Sequence, residues 1–101
     1  MERIYVANVN NLPEKLGKSV KVRNYDIALF KLSTGVIHAI ENSCPHKGGV
    51  LSQGIISGKH VYCPMHNWKI CTEEGKAQKP DEGCVKTFEV EIKDEKVYVC
   101  L

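Results

Sequence analysis

The sequence predicts an all-β fold, and three observations carry that expectation. Apolar residues recur with period two along most of the chain, as on a strand with one buried face. No segment carries the 3.6-residue period of an amphipathic helix, beyond a single turn near Leu12–Leu16. Proline and glycine are concentrated in one internal stretch: every proline but Pro13 lies in residues 41–84, and five of the eight glycines lie from Gly48 to Gly75.

Taken in order, MERIYVANVN reads as a strand, with Ile4 and Val6 alternating with Arg3 and Tyr5. It has no apolar h-region and no small-residue cleavage site, so it is not expected to be a signal peptide. Val20 and Val22 take one face and Ser19, Lys21 and Arg23 the other. Ile27 to Leu32 is nearly continuous in apolar residues, the pattern of a strand covered on both sides. Ser33-Thr34-Gly35 is a turn and Val36 to Ile40 runs back, giving a hairpin over 27–40. Phe88, Val90 and Ile92 alternate with Thr87, Glu89, Glu91 and Lys93, and Lys93 to Lys96 turns the chain into Val97–Leu101, a second hairpin. Between the hairpins only short strands fit, around His60–Cys63 and Trp68–Ile70, so that region is read as a loop-rich insertion.

At 101 residues the chain has the length of one domain. A domain of this size buries only about 60–70% of the surface its unfolded chain exposes, so a metal group could add to its stability. A net charge of +2, with acids and bases mixed, is too weak a bias to argue for nucleic acid or an anionic membrane. No apolar run approaches the ~18 residues of a membrane span. Five cysteines without a leader point to a reducing cytoplasm, where thiols bind metals or stay free, and the odd count speaks against a complete disulfide framework.

The insertion holds the unusual residues. Cys44-Pro45-His46-Lys47-Gly48-Gly49 forms one box and Cys63-Pro64-Met65-His66 another, with sixteen residues between His46 and Cys63. Two thiolates and two imidazoles thus stand in matched order on two loops. A Rieske-type [2Fe–2S] cluster needs two cysteines on one iron and two histidines on the other. Cysteine followed by histidine in both boxes lets each loop supply one ligand to each iron. Glycines allow backbone to approach inorganic sulfide closely and to aim amide N–H groups at it, one of the levers on cluster potential. Pro45 and Pro64 stiffen the step after each cysteine and remove a donor there. A Cys2His2 zinc site accepts the same donors, but its paired ligands are usually spaced more widely than C-x-H. A Cys44–Cys63 disulfide leaves both histidines unexplained, and a Cys–His catalytic pair needs no duplication.

At these residues the chain resembles Rieske [2Fe–2S] proteins, whose two-box signature CPHKGG and CPMHNW match. The stretches IALFKLSTGVIHAIENSCPHKGG, GIISGKHVYCPMHNWKI and PDEGCVKTFEVEIKDEKVYV resemble the small subunit of cytoplasmic NAD(P)H-dependent assimilatory nitrite reductase. The resemblance implies a Rieske domain of antiparallel sheets over 1–101, with a base lobe at about 1–40 and 84–101 and a cluster-binding lobe at about 41–83. It implies Cys44 and Cys63 on one iron and His46 and His66 on the other, one cluster per chain. It implies a large partner subunit carrying FAD, a [4Fe–4S] centre and sirohaem, which reduces nitrite to ammonium with electrons from NAD(P)H. It also implies an exposed histidine edge, with His46 and His66 facing the partner and their outer nitrogens titrating. In the cytochrome bc type each box carries a further cysteine and the two form a disulfide. Gly49 and Met65 stand in those places here, and Trp68 stands where that type has a serine donor. Fewer donors to the sulfides predict a potential towards the low end of the roughly −150 to +300 mV Rieske range.

The other candidates read more plainly. His38 is expected as a packed strand histidine and His60 as a surface residue. Cys71, Cys84 and Cys100 have no paired spacing and are expected as free, partly buried thiols. Trp68 is expected to pack the cluster lobe onto the base, and Lys47, Lys59 and Lys69 to be solvated charges or a basic rim for an acidic partner. With no G-x-G-x-x-G motif and no evident substrate pocket, the chain reads as an electron-transfer subunit with no complete active site. The alternatives are a free-standing Rieske ferredoxin of a ring-hydroxylating dioxygenase system, and a structural or assembly subunit in which the cluster is a folding staple.

Overall fold

The period-two stretches become strands. The computed structural model describes residues 2–12, 17–32, 34–43, 50–64, 68–78 and 83–101. In chain order these hold β1 (Arg3–Asn8), a 3₁₀ turn (Val9–Asn11), β2 (Gly17–Val22), β3 (Tyr25–Lys31), β4 (Ile37–Glu41), a 3₁₀ turn (Leu51–Gln53), β5 (Ile55–Ser57), β6 (His60–Tyr62), β7 (Lys69–Cys71), β8 (Thr87–Lys93) and β9 (Lys96–Cys100). A six-stranded sheet has the order β1-β9-β8-β4-β3-β2, and a three-stranded sheet the order β5-β6-β7. Every pairing is antiparallel, so the all-β reading holds.

The apolar run in β3 has a direct structural cause. Ile27 and Leu29 enter one core, with Ala7, Val22, Ile37, Ala39, Phe88, Val97 and Val99. Ala28, Phe30 and Leu32 enter a second core, with Ile40, Leu51, Ile56, Val61, Cys63, Ile70 and Val85. Successive strand side chains point to opposite faces, so a strand sandwiched between two cores must be apolar at every position. Ile27, Ala28, Leu29 and Phe30 are all completely buried. The second core joins the large sheet to the small one, and it is the one from which the ligand loops spring.

The turns follow local chemistry. β8 and β9 pair from Glu89–Cys100 to Lys93–Lys96, across Asp94 and Glu95 at φ 51° and 65°. Two consecutive left-handed residues make the tight hairpin turn whose twist suits paired strands. Arg23, also left-handed at φ 55°, turns β2 into β3.

Two expectations need correction. The insertion contains a third short strand, β5, which Gly54 and Gly58 isolate from any readable alternation. The turn expected near Leu12–Leu16 falls on residues 13–16, which lie outside the described residues; before it a 3₁₀ turn forms at Val9–Asn11, and Leu12 is core. Ile92 alternates as expected, yet it is exposed, at the end of β8 next to the hairpin turn.

Candidate metal centre

The two ligand boxes leave the fold through two narrow necks. The first follows β4. Asn42, the residue after the strand, is buried (5% exposed), and its backbone N–H donates to the Asp26 carbonyl at 2.9 Å. Its side-chain amide donates to Ser19 Oγ at 3.2 Å and Asp26 Oδ1 at 3.3 Å. Its side-chain carbonyl accepts from the Ser52 N–H at 2.7 Å. Ser52 lies beyond the first box, so one side chain joins the chain entering that box to the chain leaving it.

The second neck is main chain. The Cys63 N–H donates to the Trp68 carbonyl at 2.8 Å, extending by one rung the β6–β7 ladder that ends at Tyr62–Lys69. The loop between them is the rest of the second box. The two necks meet at Gly54. A side chain there would collide with the Tyr62 carbonyl oxygen and crowd Val61 and the Leu51 carbonyl. Only glycine lets the segment leaving the first box lie directly on the residue preceding Cys63.

Of the four expected ligands, Cys63 is among the described residues. Cys44, His46 and His66 lie outside them, as do Lys47, Gly48, Gly49 and Met65. Cys63 is completely buried in the second core with Leu51, and Trp68 packs against that core. The four described cysteines Cys63, Cys71, Cys84 and Cys100 form no disulfide. No group of three or more His, Cys, Asp or Glu converges on a metal position among the described residues. The donor chemistry nevertheless fits an iron–sulfur group. Cys63 presents a soft sulfur donor in a water-excluded wall at the root of its loop, where a thiolate is tolerable when bound metal balances its charge.

The remaining candidates sort by contact. His38 is half-buried on β4, and its Nδ1 lies 2.8 Å from Thr72 Oγ1. The Thr72 hydroxyl donates its one proton to the Lys59 carbonyl at 2.8 Å, so it must accept from His38, which places that imidazole's proton on Nδ1. Burial lowers the His38 pKa from its ordinary value; Lys59 adds to the shift and Glu73 opposes it. His60 is half-buried rather than a free surface residue, and its pKa is lowered by burial first and then by Lys69 and Lys59. Cys71 is fully buried and Cys100 nearly so, whereas Cys84 is exposed, contrary to the expectation of partial burial. Lys59 makes an exposed ion pair with Glu73 at 3.9 Å, and Lys69 lies 6.0 Å from the Tyr62 ring centroid.

Sequence reasoning missed Asn42 and Thr72, the two buried polar side chains among the described residues. Each is defined by a contact distant in sequence. The one local signal was an asparagine two positions before a box cysteine.

Comparison with known proteins agrees with this geometry. The profile of the Rieske [2Fe-2S] domain matches residues 2–89. The ferredoxin component of naphthalene 1,2-dioxygenase/salicylate 5-hydroxylase systems from a Ralstonia species is 33% identical over 95 residues, covering 93% of this chain and 90% of that protein. A 4β-methylsterol monooxygenase of Methylococcus capsulatus is 39% identical over 75 residues, and the match spans 68% of this chain but 20% of that larger protein. A crystal structure assigned to a nitrite reductase NADPH small subunit is similar in fold, with a TM-score of 0.87 and 23% identity over 100% of both chains.

Proposed function

This chain belongs to the Rieske [2Fe–2S] family, and from that premise we propose that it is a one-electron carrier whose cluster is held by Cys44 and Cys63 on one iron and by His46 and His66 on the other. The bound cluster takes up and releases a single electron. The observation that carries the ligand reading is the burial of Cys63 at the root of a loop whose neck rests, through Gly54 and Tyr62, on the neck of the first box. Two loops rooted side by side in one core can supply ligands to one compact group. The protein's own contribution is to hold those loops, exclude water from the cysteine side and leave a route for the electron at the other.

For the partner, the first reading is the large subunit of an assimilatory nitrite reductase bearing FAD, a [4Fe–4S] centre and sirohaem. It is supported by the resemblance of the stretches around both boxes. In that role the chain is a subunit of a cytoplasmic enzyme of nitrate assimilation. A second reading, a ferredoxin serving a ring-hydroxylating oxygenase, is favoured by the 33% identity over nearly all of both chains.

Iron and acid-labile sulfide in [2Fe–2S] proportion, with a Rieske-type EPR signal on reduction, are the expected analysis; zinc alone overturns the ligand reading. A titrated midpoint in the lower half of the roughly −150 to +300 mV range is expected from the missing donors, and a value near the top would refute that expectation. The reduced protein is then mixed with a nitrite reductase large subunit or with a ring-hydroxylating oxygenase. Nitrite-dependent reoxidation supports the first partner and oxygenase-dependent reoxidation the second. A Cys44→Ser variant that still assembles with the large subunit and sustains full turnover would reduce the cluster to a structural role.

A further inference from the structure

We propose that Asn42 is a positioning residue for the cluster: it closes the first ligand loop and fixes where Cys44 and His46 are presented. The inference rests on the ligand set proposed above.

Asn42 is one of two buried polar side chains among the described residues; Ser19 and Asp26, which its NH2 group meets, are exposed, so its amide is the sheltered inner end of a part-buried network and needs these partners. Each end of its amide has a forced role. Ser52 N–H can only donate, so the Asn42 carbonyl oxygen faces it at 2.7 Å. The Asp26 carboxylate accepts, so the Asn42 NH2 group faces it at 3.3 Å and also reaches Ser19 Oγ at 3.2 Å. Ser19 itself donates to Asp26 Oδ1 at 3.0 Å. Ser19 on β2 and Asp26 on β3 are diagonal neighbours across that hairpin, where Ser19 faces Ala28 and Asp26 faces Lys21, and the hairpin is part of the large sheet. The side chain therefore ties three things together: the end of β4, that hairpin, and the 3₁₀ turn after the first box. Cys44 lies two residues beyond Asn42, and Val50 and Leu51 lie just before Ser52. With the neck closed, the loop's two ends are held at one place on the sheet, and the ligand atoms inherit that placement. With the neck open, the end of β4 is no longer tied to the turn at Ser52, which Leu51 still holds in the second core.

The chemistry suggests an isosteric break and its repair. Asn42→Asp keeps the acceptor for Ser52 but replaces the NH2 donor with an oxygen facing the Asp26 carboxylate, two acceptors of like charge in a part-buried setting. Asp26→Asn alone keeps a complementary pair, because the new amide can turn its oxygen to the Asn42 NH2 group. Combining Asn42→Asp with Asp26→Asn exchanges donor and acceptor and restores the pair. A side chain that merely filled space would be indifferent to this exchange, since all four proteins have nearly the same volumes.

The four proteins form a double-mutant cycle, read by iron release to a chelator and by the EPR spectrum of the reduced cluster. Asn42→Asp is expected to release iron about 10–100-fold faster, the usual effect of losing an outer-shell contact, and to broaden or shift the EPR signal. Asp26→Asn is expected to stay within about twofold of the parent, and the paired exchange to recover most of the loss. Parent-like iron release and EPR in Asn42→Asp would overturn the proposal, and so would failure of the paired exchange to recover either readout. Should Asn42→Asp not fold, the cycle is replaced by deuterium exchange of the parent holoprotein over residues 50–54. Slow exchange at the Ser52 amide is required, and fast exchange overturns the closure. Cys44→Ser is the control for the ligand reading. If it keeps a native Rieske signal, the ligand set fails and this proposal with it. If it loses the cluster while Asn42→Asp keeps it intact, the role of Asn42 alone fails.

Discussion

The two ligand loops are closed in different ways. The second is pinched by a main-chain hydrogen bond, Cys63 N–H to the Trp68 carbonyl, that continues the β6–β7 ladder. Its closure is a consequence of strand register and survives most changes of side chain, since every non-proline residue carries the same N–H and C=O. The first loop has no ladder to extend: β4 ends at Glu41, and the segment after the box is a 3₁₀ turn. One buried amide spans that gap. A loop between paired neighbouring strands obtains its neck from the sheet, while a loop between unlike elements is bridged by one side chain, with Leu51 anchoring the turn in the core beside it.

The largest test of this contrast lies where the necks touch. Gly54→Ala would drive a methyl group into the Tyr62 carbonyl, with Val61 and the Leu51 carbonyl closing the other sides. Two of those walls are backbone, so no rotamer change relieves the overlap, and the necks must separate. A loss of about 3 kcal/mol, the upper end for overpacking a tight site, is expected in urea unfolding. Deuterium exchange should show faster opening at Ser52 and at Cys63 together. Opening at one neck alone would mean that the two are independent.

The same contrast explains what was legible in the sequence. The hairpins β3–β4 and β8–β9 follow from alternation and turn residues, which are local, and the proposed ligand set rests on spacing within two short boxes, of which Cys63 is among the described residues. The double-sided burial of Ile27–Phe30 was readable because a strand between two cores must be apolar throughout. The three-residue strand β5 was not readable: it is too short to show a period, and pairing with β6 defines it. Asn42 and Thr72 were hidden for a related reason. A polar residue becomes structural only when the fold delivers Ser52, Asp26, His38 and Lys59 to it. The exposure of Cys84, in an irregular segment, and the burial of Cys71, at the end of the three-residue strand β7, likewise depend on faces that a stretch too short to show a period leaves undetermined.

A middle-sized effect separates packing from closure at the second neck. Trp68 supplies its carbonyl to Cys63 and its ring to the second core. Trp68→Ala removes the ring and leaves the carbonyl. A partly buried tryptophan should cost about 2 kcal/mol, below the range for fully buried ones. The Cys63 amide should nevertheless stay protected from exchange at denaturant concentrations well below the unfolding midpoint. Loss of that protection in a still-folded variant would show that the ring, not the ladder, holds the second loop closed.

The smallest effect concerns pH and the far end of the small sheet. His38 on β4 donates through Nδ1 to Thr72, which holds the Lys59 carbonyl with both its hydroxyl and its N–H. Burial holds the imidazole's pKa below its ordinary value, with Lys59 adding to the shift and Glu73 opposing it. The native chain thus resists a proton that the unfolded chain accepts. Above the ordinary histidine value of about 6.5 both states are neutral and pH has no effect through this group. As pH falls below that value the unfolded chain binds more protons, so stability decreases until the lowered native pKa is passed and the loss levels off. His60, shifted in the same direction, adds to the slope. His38→Gln removes one of the two contributions and keeps an N–H donor for Thr72. Between pH 7.5 and 5.5 the urea midpoint of the variant should therefore fall less than that of the parent, and comparing the two proteins cancels the contribution of His60. An equal fall would mean that the link between β4 and the small sheet accepts a proton without strain. Closure at the two necks would then be what ties the ligand loops to the sheet, with no help from this more distant contact.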